Sequence, residues 1–282
     1  MNFSKPEYPL ISVITVSFNA ADFISQTIES VLSQTYPRIE YIIIDGGSTD
    51  GTAEIIRKNE SRLAYWHSRP DNGIANAFNL GWNKSQGDWI IFLNADDLFC
   101  NDKVLENLVP YLIKYKDADV VYGQLQIITN DAIPQPIPFS KILGRRWRWE
   151  EFRLNNTIPH QSAFTNKKLF VRMQGFDENT NFSVDYEFYL RAGKSLKAQF
   201  VPMMISRMRK GGISNRSMVR TLIEFRLAQE KTKALPQYLT WINFFWQIGR
   251  CYLGKAAHLI LDPLAYKIKW PGRNTGTSIG MK

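Results

Sequence analysis

The residues with the clearest chemical potential are two adjacent carboxylates, Asp96 and Asp97, which follow the apolar segment Trp89–Leu93. That segment predicts a strand buried on both faces, as in a parallel sheet. Two neighbouring carboxylates are too costly to bury alone, so they must reach water, a cation or both. Ligands bind at the carboxyl ends of strands in open α/β sheets, where Mg²⁺ uses one or two protein carboxylates together with substrate phosphates. The pattern indicates a metal–phosphate site; a polar loop or helix cap is the alternative.

Alternating strands and helices must position these carboxylates. Apolar runs that are too short for helices predict buried strands, and apolar residues at helical spacing predict the helices between them. The short connections favour right-handed βαβ units and therefore an α/β fold. The predicted strands are Ile11–Phe18, Tyr41–Ile44, Leu63–Ser68, Trp89–Leu93, Val120–Ile128 and Leu196–Met204, and the predicted helices include Ala21–Gln34, Ala53–Asn59, Lys103–Lys116 and Asp185–Ala192.

Composition limits the class of protein. A chain of 282 residues with 44% hydrophobic residues can bury one large domain, or one domain and an appendage. The two cysteines, Cys100 and Cys251, form no spacing pattern, which favours a reducing compartment. Three scattered histidines make a zinc cluster a poor interpretation. Met1–Pro9 lacks an apolar core, so we expect no secretory signal peptide.

The basic charge is concentrated at one end of the chain. The formal net charge is +9, and residues 206–282 hold 14 Lys and Arg against three acids. This asymmetry predicts an anionic partner for the C-terminal region, with a solvated charged surface as the alternative.

The same region contains a charge-free run, 234–249, of sixteen residues. This is shorter than the roughly 18–20 apolar residues of a membrane-spanning helix. Trp241, Phe244, Phe245 and Trp246 between basic residues instead predict an amphipathic helix lying on an anionic membrane surface. A helix that packs its aromatic residues on the domain is the alternative. Nucleic acid is disfavoured, because the aromatic residues do not interleave with the basic ones.

Three motifs together resemble glycosyltransferase family 2 of the GT-A fold, in its bacterial polysaccharide-biosynthesis form: Ile11–Asn19, Ile42–Thr52 and Phe92–Asp97. The resemblance covers about residues 8–215. It implies a Rossmann-like, mostly parallel sheet flanked by helices, with a catalytic domain at 1–215 and a C-terminal helical extension at 216–282. It also implies that the substrate is a nucleotide-sugar.

The resemblance assigns donor-side roles to residues at the ends of the strands. Asp45 would accept a hydrogen bond from the base, uracil in a UDP-sugar. Asp96 would be the acid that binds Mg²⁺ or Mn²⁺, with Asp97 as its neighbour. Asn94 replaces the first acid of the family's Asp-x-Asp motif, so fewer charges hold the metal. The other residues expected near the donor are Ser17, Asn19, Asp71 and Gly73.

The resemblance also predicts an acceptor side. Asp185 matches the family's catalytic base, although Val184 occupies the position of a second acid. His160 and Gln161, and likewise Gly212 and Ser214, match segments that would shape the acceptor or diphosphate side.

The implied activity is inverting transfer from a nucleotide-sugar to a hydroxyl group. The basic, aromatic C-terminal region adds the expectation of a polyprenyl-diphosphate-linked acceptor and a cytoplasmic enzyme, peripheral on the inner face of the cell membrane. One alternative is a sugar nucleotidyltransferase, but residues 18–21 lack its glycine-rich basic loop. The other is a degenerate nucleotide-binding scaffold, which the changes at Asn94 and Val184 keep open.

Overall fold

The computed structural model describes residues 8–131, 133–136, 142–211 and 217–267, with side chains as far as Leu253. Its strands are β1 (Ile11–Ser17), β2 (Ile39–Asp45), β3 (Tyr65–Ser68), β4 (Trp89–Phe92), β5 (Leu98–Phe99), β6 (Val120–Ile128), β7 (Ala163–Asn166) and β8 (Ala198–Arg209). Its helices are α1 (Ile24–Leu32), α2 (Thr52–Arg57), α3 (Ile74–Lys84), α4 (Val104–Lys114), α5 (Trp149–Phe152), α6 (Lys167–Met173), α7 (Val184–Ala192), α8 (Met218–Lys231) and α9 (Gln237–Lys267).

The strands form one mixed sheet in the order β3-β2-β1-β4-β7-β6-β8-β5. Strands β3, β2, β1 and β4 are parallel, β7 runs antiparallel to both β4 and β6, and β8 is parallel to β6. The carboxyl ends of the first four strands therefore meet at one edge. In the register of this half of the sheet, Asp45 lies opposite both Ser17 and Ser68.

Helices cover both faces of the sheet, because side chains along a strand alternate between its faces. Ile14 and Val16 of β1 belong to a core cluster with α3, α6 and α7, whereas Ile11 and Val13 belong to a cluster with α1, α2 and α4. Gly81 lets α3 approach β1 closely, since a Cβ atom there would lie 2.5 Å from Cγ2 of Ile14. Packed helices on both faces therefore fix the edge of the sheet at which the carboxyl ends of β1–β4 meet.

The two C-terminal helices pack on this layered domain. The centre of the Phe225 ring on α8 lies 4.3 Å from the centre of the Tyr186 ring on α7. Gln229 is buried and donates hydrogen bonds to the Tyr186 hydroxyl (3.0 Å) and the Arg153 carbonyl (2.9 Å). Among the described helices, none is both long enough and apolar enough to cross a bilayer.

The predicted α/β architecture is confirmed, with a helical C-terminal region. Four details differ. Strand β8 continues to Arg209, because β6 pairs with it as far as Ile128. The short helices α5 and α6 and the two-residue strand β5 were not predicted, since none of them is long enough to set up a periodic pattern. The division at residue 215 remains a prediction.

Candidate active site

A buried carboxylate, Asp45, joins the ends of three parallel strands. Its Oδ1 accepts hydrogen bonds from the hydroxyls of Ser17 (2.8 Å) and Ser48 (2.6 Å). Its Oδ2 accepts from the Ser48 backbone N–H (2.9 Å) and the Ser68 hydroxyl (2.6 Å). Burial favours a raised pKa, but the hydrogen bonds from Ser48, Ser68 and Ser17 outweigh it and lower the pKa of Asp45. The side chain is 0% exposed, so this ionised group supports the loops from within.

The loops at this edge are also tied to each other. Asn19 has the left-handed φ of 48° and donates its backbone N–H to the Ser48 hydroxyl (2.8 Å), while its Oδ1 accepts from the Thr49 N–H (3.0 Å). Gly73 has a φ of 102°, and its N–H donates to Asp71 Oδ1 (2.9 Å). The predicted donor-side residues of the first three strands are therefore brought together at one edge.

After β4, the polar segment Asn94–Asp97 turns into the sheet. Asp97 is 1% exposed, and no donor among the described residues reaches good hydrogen-bond geometry at either of its carboxylate oxygens, although the Gln161 side chain and the Arg209 backbone N–H lie close enough to favour its charged form. Burial and the neighbouring Asp96 raise the pKa of Asp97 well above its usual value, although Gln161 and Arg209 oppose this. Oδ1 of Asn94 is likewise buried without a hydrogen-bond donor among the described residues.

These oxygen atoms fit a hard divalent cation. Mg²⁺ and Mn²⁺ prefer oxygen ligands, and Mg²⁺ takes few from the protein when a substrate supplies phosphates. In the described part of the chain, no group of three or more His, Cys, Asp or Glu side chains is arranged to hold a metal alone. A cation at Asp96 and Asp97 would thus need a phosphate-bearing ligand to complete its coordination.

Arg209 supplies positive charge beside these acids. Its guanidinium is buried, donates to the carbonyls of Thr129 (3.2 Å) and Asp131 (3.1 Å), and lies 4.8 Å from the centre of the Phe23 ring. Burial lowers the pKa of Arg209, while the charges of Asp96 and Asp97 raise it. No sequence motif includes Arg209, which lies beyond the predicted end of the last strand.

Asp185 lies in the first turn of α7, and two residues hold it in place. Asn156 Nδ2 donates to Asp185 Oδ2 at 2.7 Å. Glu224 of α8 accepts hydrogen bonds from the backbone N–H groups of Phe182 (2.7 Å) and Ser183 (3.0 Å), which fixes the start of α7. Neither partner carries a sequence motif, so only the fold identifies them.

A cavity of about 560 Å³ lies beside Asp185 and reaches Asn94, whereas Asp45, Asp71, Asp96 and Asp97 are not among its lining residues. Its lining includes Asn94, His160, Gln161 and Asp185, so the start of the acidic segment and the predicted base face the same space. This is the size of a typical small-molecule site. The basic side chains of Arg145 and Arg250 also line it.

His160 is held between two aromatic rings, with ring centres 5.1 Å from Phe78 and 5.3 Å from Phe92. Both of its nitrogen atoms are buried without a hydrogen-bond partner in the described structure. Burial lowers the pKa of His160, although Asp185 opposes this, so the ring is neutral at pH 7. A neutral imidazole can donate from one nitrogen and accept at the other. Gly212 and Ser214 lie outside the described residues.

Comparison with known proteins identifies the family. The model of glycosyl transferase family 2 matches residues 12–179, more than half of the chain. The chain is 35% identical over 189 residues to an uncharacterized glycosyltransferase of Mycobacterium tuberculosis, MT1564, covering 65% of this chain and 69% of the relative. It is 26% identical over 213 residues to a PGL/p-HBAD biosynthesis glycosyltransferase of Mycobacterium bovis, covering 73% and 80%. The protein therefore belongs to glycosyltransferase family 2.

Solved structures agree on the fold. Staphylococcus aureus TarS 1-349 in complex with UDP-GlcNAc superposes with a TM-score of 0.62 at 15% identity, covering 92% of this chain and 76% of that one. The mannosyltransferase PcManGT of Pyrobaculum calidifontis, in complex with GDP-Man and Mn²⁺, gives 0.61 at 17% identity, covering 94% and 82%. The fold is GT-A, as the motifs predicted.

The Asp45 cluster predicts a specific stability defect. Asp45→Asn should lower the free energy of unfolding by about 1–3 kcal/mol at pH 7, because the amide nitrogen would face hydrogen-bond donors. The lowered pKa means that the carboxylate's contribution is complete above the usual aspartate pKa and is lost as pH falls through the folded value. Urea denaturation at pH 7 and at about pH 3 should therefore show the defect shrinking in acid. The exposed Asp22→Asn is the control, and a defect that persists unchanged in acid would contradict this account.

Proposed function

We propose that this protein is a metal-dependent, inverting glycosyltransferase that moves a sugar from a nucleotide-sugar, a UDP-sugar, to a hydroxyl of a lipid-linked saccharide in surface polysaccharide synthesis. The observation that carries the proposal is the single cavity lined by both Asn94, at the start of the acidic segment, and Asp185. A transferase of this type needs leaving-group stabilisation and a general base on opposite sides of one sugar.

The nature of the donor is supported from two directions. The structural neighbours TarS and PcManGT were solved with UDP-GlcNAc and with GDP-Man and Mn²⁺, respectively. In this chain, the carboxyl edge of β1–β4 offers ordered polar loops and buried acids where ligands bind in α/β sheets.

Asp96 and Asp97 would hold the metal ion, with Asn94 as a neutral oxygen donor beside them. When bound, Mg²⁺ or Mn²⁺ neutralises the negative charge of a departing nucleoside diphosphate. Arg209 adds a fixed positive charge beside the two acids. The burial of Asp97 beside Asp96, with no well-aligned hydrogen-bond donor at its oxygens among the described residues, supports this assignment, because a bound cation would stabilise both charges.

Asp185 would act as the general base. Its carboxylate takes the proton of an acceptor hydroxyl while that oxygen forms a bond to the anomeric carbon, and the bond to the diphosphate breaks on the opposite face. One displacement inverts the anomeric centre. The hydrogen bond from Asn156 orients the carboxylate toward the cavity. Neutral His160 and the amide of Gln161 can hydrogen-bond the hydroxyl groups of a sugar there.

The acceptor end of the cavity is basic. Arg145 and Arg250 line it, and Arg145 is held by an ion pair with Glu151 (2.9 Å). Guanidinium groups bind phosphate oxygens strongly and with defined geometry. Because Arg250 belongs to α9, the C-terminal region takes part in the same cavity, which supports an acceptor that carries a diphosphate.

Helix α9 is amphipathic, but its polar side faces the protein and its apolar side faces outward, the reverse of an ordinary surface helix. Asn243 and Gln247 each donate to the Leu154 carbonyl at 2.9 Å, and Thr240 is fully buried. The opposite side forms an exposed aromatic stripe of Tyr238, Trp241, Ile242, Phe245, Trp246, Tyr252 and Leu253. Aromatic and aliphatic side chains of this kind insert at the headgroup level of a bilayer.

Basic residues make this stripe suited to an anionic surface. Lys233 precedes α9 and Arg250 lies on its flank, within a region whose charge is strongly positive. Each Lys or Arg close to an anionic membrane contributes about 1 kcal/mol. A peripheral position on the inner face of the cell membrane would bring a lipid-linked acceptor to the cavity.

The base assignment predicts a catalytic defect without a binding defect. Asp185→Asn should lower the rate of sugar transfer about 10²–10⁴-fold, the usual contribution of general-base catalysis. Its affinity for the nucleotide, measured by calorimetry, should stay within about twofold of the wild type, because the residue lies on the acceptor side. Glu150→Gln, at an exposed carboxylate outside the cavity, is the control. Full activity in Asp185→Asn would refute the assignment, and an inactive wild type that still binds nucleotide would favour a scaffold.

The metal assignment predicts a pH-dependent thermal shift. Without metal, a raised pKa at Asp97 means that stability falls as pH rises from the unfolded value toward the folded one. Mn²⁺ together with UDP should remove this penalty, so the shift in Tm should grow with pH as the proton is displaced. Asp97→Asn should abolish the pH dependence, whereas the exposed Asp102→Asn should retain it. A metal-independent UDP shift in the wild type would argue against the site.

The aromatic stripe predicts membrane binding that depends on charge. The full-length protein should float with vesicles that contain phosphatidylglycerol and much less with neutral phosphatidylcholine vesicles. A Phe245→Ser, Trp246→Ser double variant should lose flotation yet keep its Tm, since both side chains are exposed. Val171→Ser, at an exposed apolar residue of α6, should float as the wild type does. Equal recovery of the wild type with and without vesicles would eliminate the membrane proposal.

A further inference from the structure

The backbone carbonyl of Leu154 is a meeting point between the C-terminal helices and the layered domain. It accepts hydrogen bonds from Asn243 Nδ2 (2.9 Å) and Gln247 Nε2 (2.9 Å), which both belong to α9. Nε2 of Gln229, on α8, lies 3.5 Å from the same oxygen. A carbonyl oxygen has two lone pairs, so the two amides of α9 are enough to satisfy it.

These two amides belong to a continuous polar face of α9. Thr240, Asn243 and Gln247 are three and four residues apart, a spacing that places them on one side of a helix. Thr240 is 0% exposed and Gln247 is 9% exposed. A buried amide is costly unless it is hydrogen-bonded, so this face is matched to the carbonyl that it contacts. The aromatic stripe lies on the other side of the helix.

Arg153, the residue before Leu154, connects the same segment to α7. Its carbonyl accepts hydrogen bonds from the Tyr186 hydroxyl (2.8 Å) and from Gln229 Nε2 (2.9 Å). Tyr186 is fully buried and directly follows Asp185 in the chain. Two consecutive carbonyls are therefore held by side chains from α7, α8 and α9.

Asn156 carries this restraint to Asp185. Its Nδ2 donates to Asp185 Oδ2 at 2.7 Å, and its Oδ1 accepts the Ile158 N–H at 3.2 Å. Because both ends of the amide are engaged, the side chain moves with the local backbone. A shift of residues 153–154 would therefore displace the amide that orients the carboxylate. A misplacement of about 1 Å can cost on the order of 100-fold in rate.

We propose that Asn243 and Gln247 are positioning residues for the general base, and that they act on Asp185 through the Leu154 carbonyl and Asn156. Helix α9 then has two separate roles. Its polar face sets the geometry of the base, whereas its aromatic stripe is the face assigned to the membrane. The proposal rests on the proposed function, because it takes Asp185 to be the base.

Donor hydrolysis without membranes tests this proposal, because the base can take a proton from water as from an acceptor hydroxyl. The substrate is whichever of UDP-glucose, UDP-galactose, UDP-GlcNAc and GDP-mannose the full-length wild type hydrolyses fastest with Mn²⁺. The double variant Asn243→Leu, Gln247→Met removes both donors and nearly keeps the side-chain volumes. Its kcat should fall about 5- to 50-fold, while the KM of the donor stays within about twofold. Gln237→Met, at an exposed amide of the same helix, should keep the wild-type kcat.

A double-mutant cycle separates positioning from a general loss of folded enzyme. In the Asp185→Asn background no base remains to be positioned, so adding the double variant should lower kcat by less than about twofold. An equal loss in both backgrounds would overturn the proposal, because weaker packing of α9 would lower every rate alike.

Hydrogen exchange provides a readout that does not depend on activity. The double variant should speed amide exchange in residues 153–158 by about tenfold or more, while β1 exchanges as in the wild type. Unchanged exchange in this segment would overturn the proposal. If Asp185→Asn is slow and the double variant has wild-type kcat, only the positioning role is wrong. If Asp185→Asn hydrolyses the donor as fast as the wild type, the base assignment of the proposed function fails as well.

Discussion

The carboxyl edge of β1, β2 and β3 depends on the hydrogen bonds that the buried Asp45 carboxylate accepts. Three parallel strands end side by side, and one ionised group accepts four hydrogen bonds from Ser17, Ser48 and Ser68 at once. A desolvated carboxylate that loses one donor is costly, so the partners stabilise each other's positions and the loops behave as a unit. The positions of Gly46 and its neighbours follow from this arrangement. The Asp45 carboxylate therefore influences the proposed ligand site indirectly, by holding the backbone of the loops in place.

A second carboxylate, Glu224, also holds backbone in place by accepting hydrogen bonds, at the end of the site that contains Asp185. Glu224 of α8 accepts the N–H groups that precede α7, and Asp185 lies in the first turn of that helix. Lys231, which also belongs to α8, forms ion pairs with both Asp177 and Glu187. Helix α8 is therefore part of the support of the proposed base. Because α9 packs on α8 and contributes Arg250 to the cavity, the helix with the exposed aromatic stripe is physically continuous with the acceptor side.

The sequence predicted the features that local pattern encodes. Ile11–Ser17 is a mostly apolar strand and Trp89–Phe92 an entirely apolar one, and both lie within one residue of their predicted bounds. Features that depend on distant partners are not accessible from the sequence: Ser17 and Ser68, which donate hydrogen bonds to Asp45, lie 28 and 23 residues away from it. Arg209 was not predicted for a similar reason. A single arginine is normally expected at the surface, and only the pairing of β8 with the distant strand β6 shows that this one is buried.

Hydrogen-bond saturation distinguishes the carboxylates that support the fold from the polar groups that we propose bind ligands. The buried Asp45 and the partly buried Glu224 each accept three or more hydrogen bonds from the protein, which compensates for the water that their carboxylates lose. Asp97, Asn94 and His160 each have buried polar atoms for which no described residue is a well-aligned hydrogen-bond partner. An uncompensated buried group costs stability, so its partner is expected to come from outside the chain. Asn94 and His160 line the same cavity as Asp185, and Asp97 lies three residues after Asn94, so under the proposed function these groups would lie along the bound sugar and diphosphate.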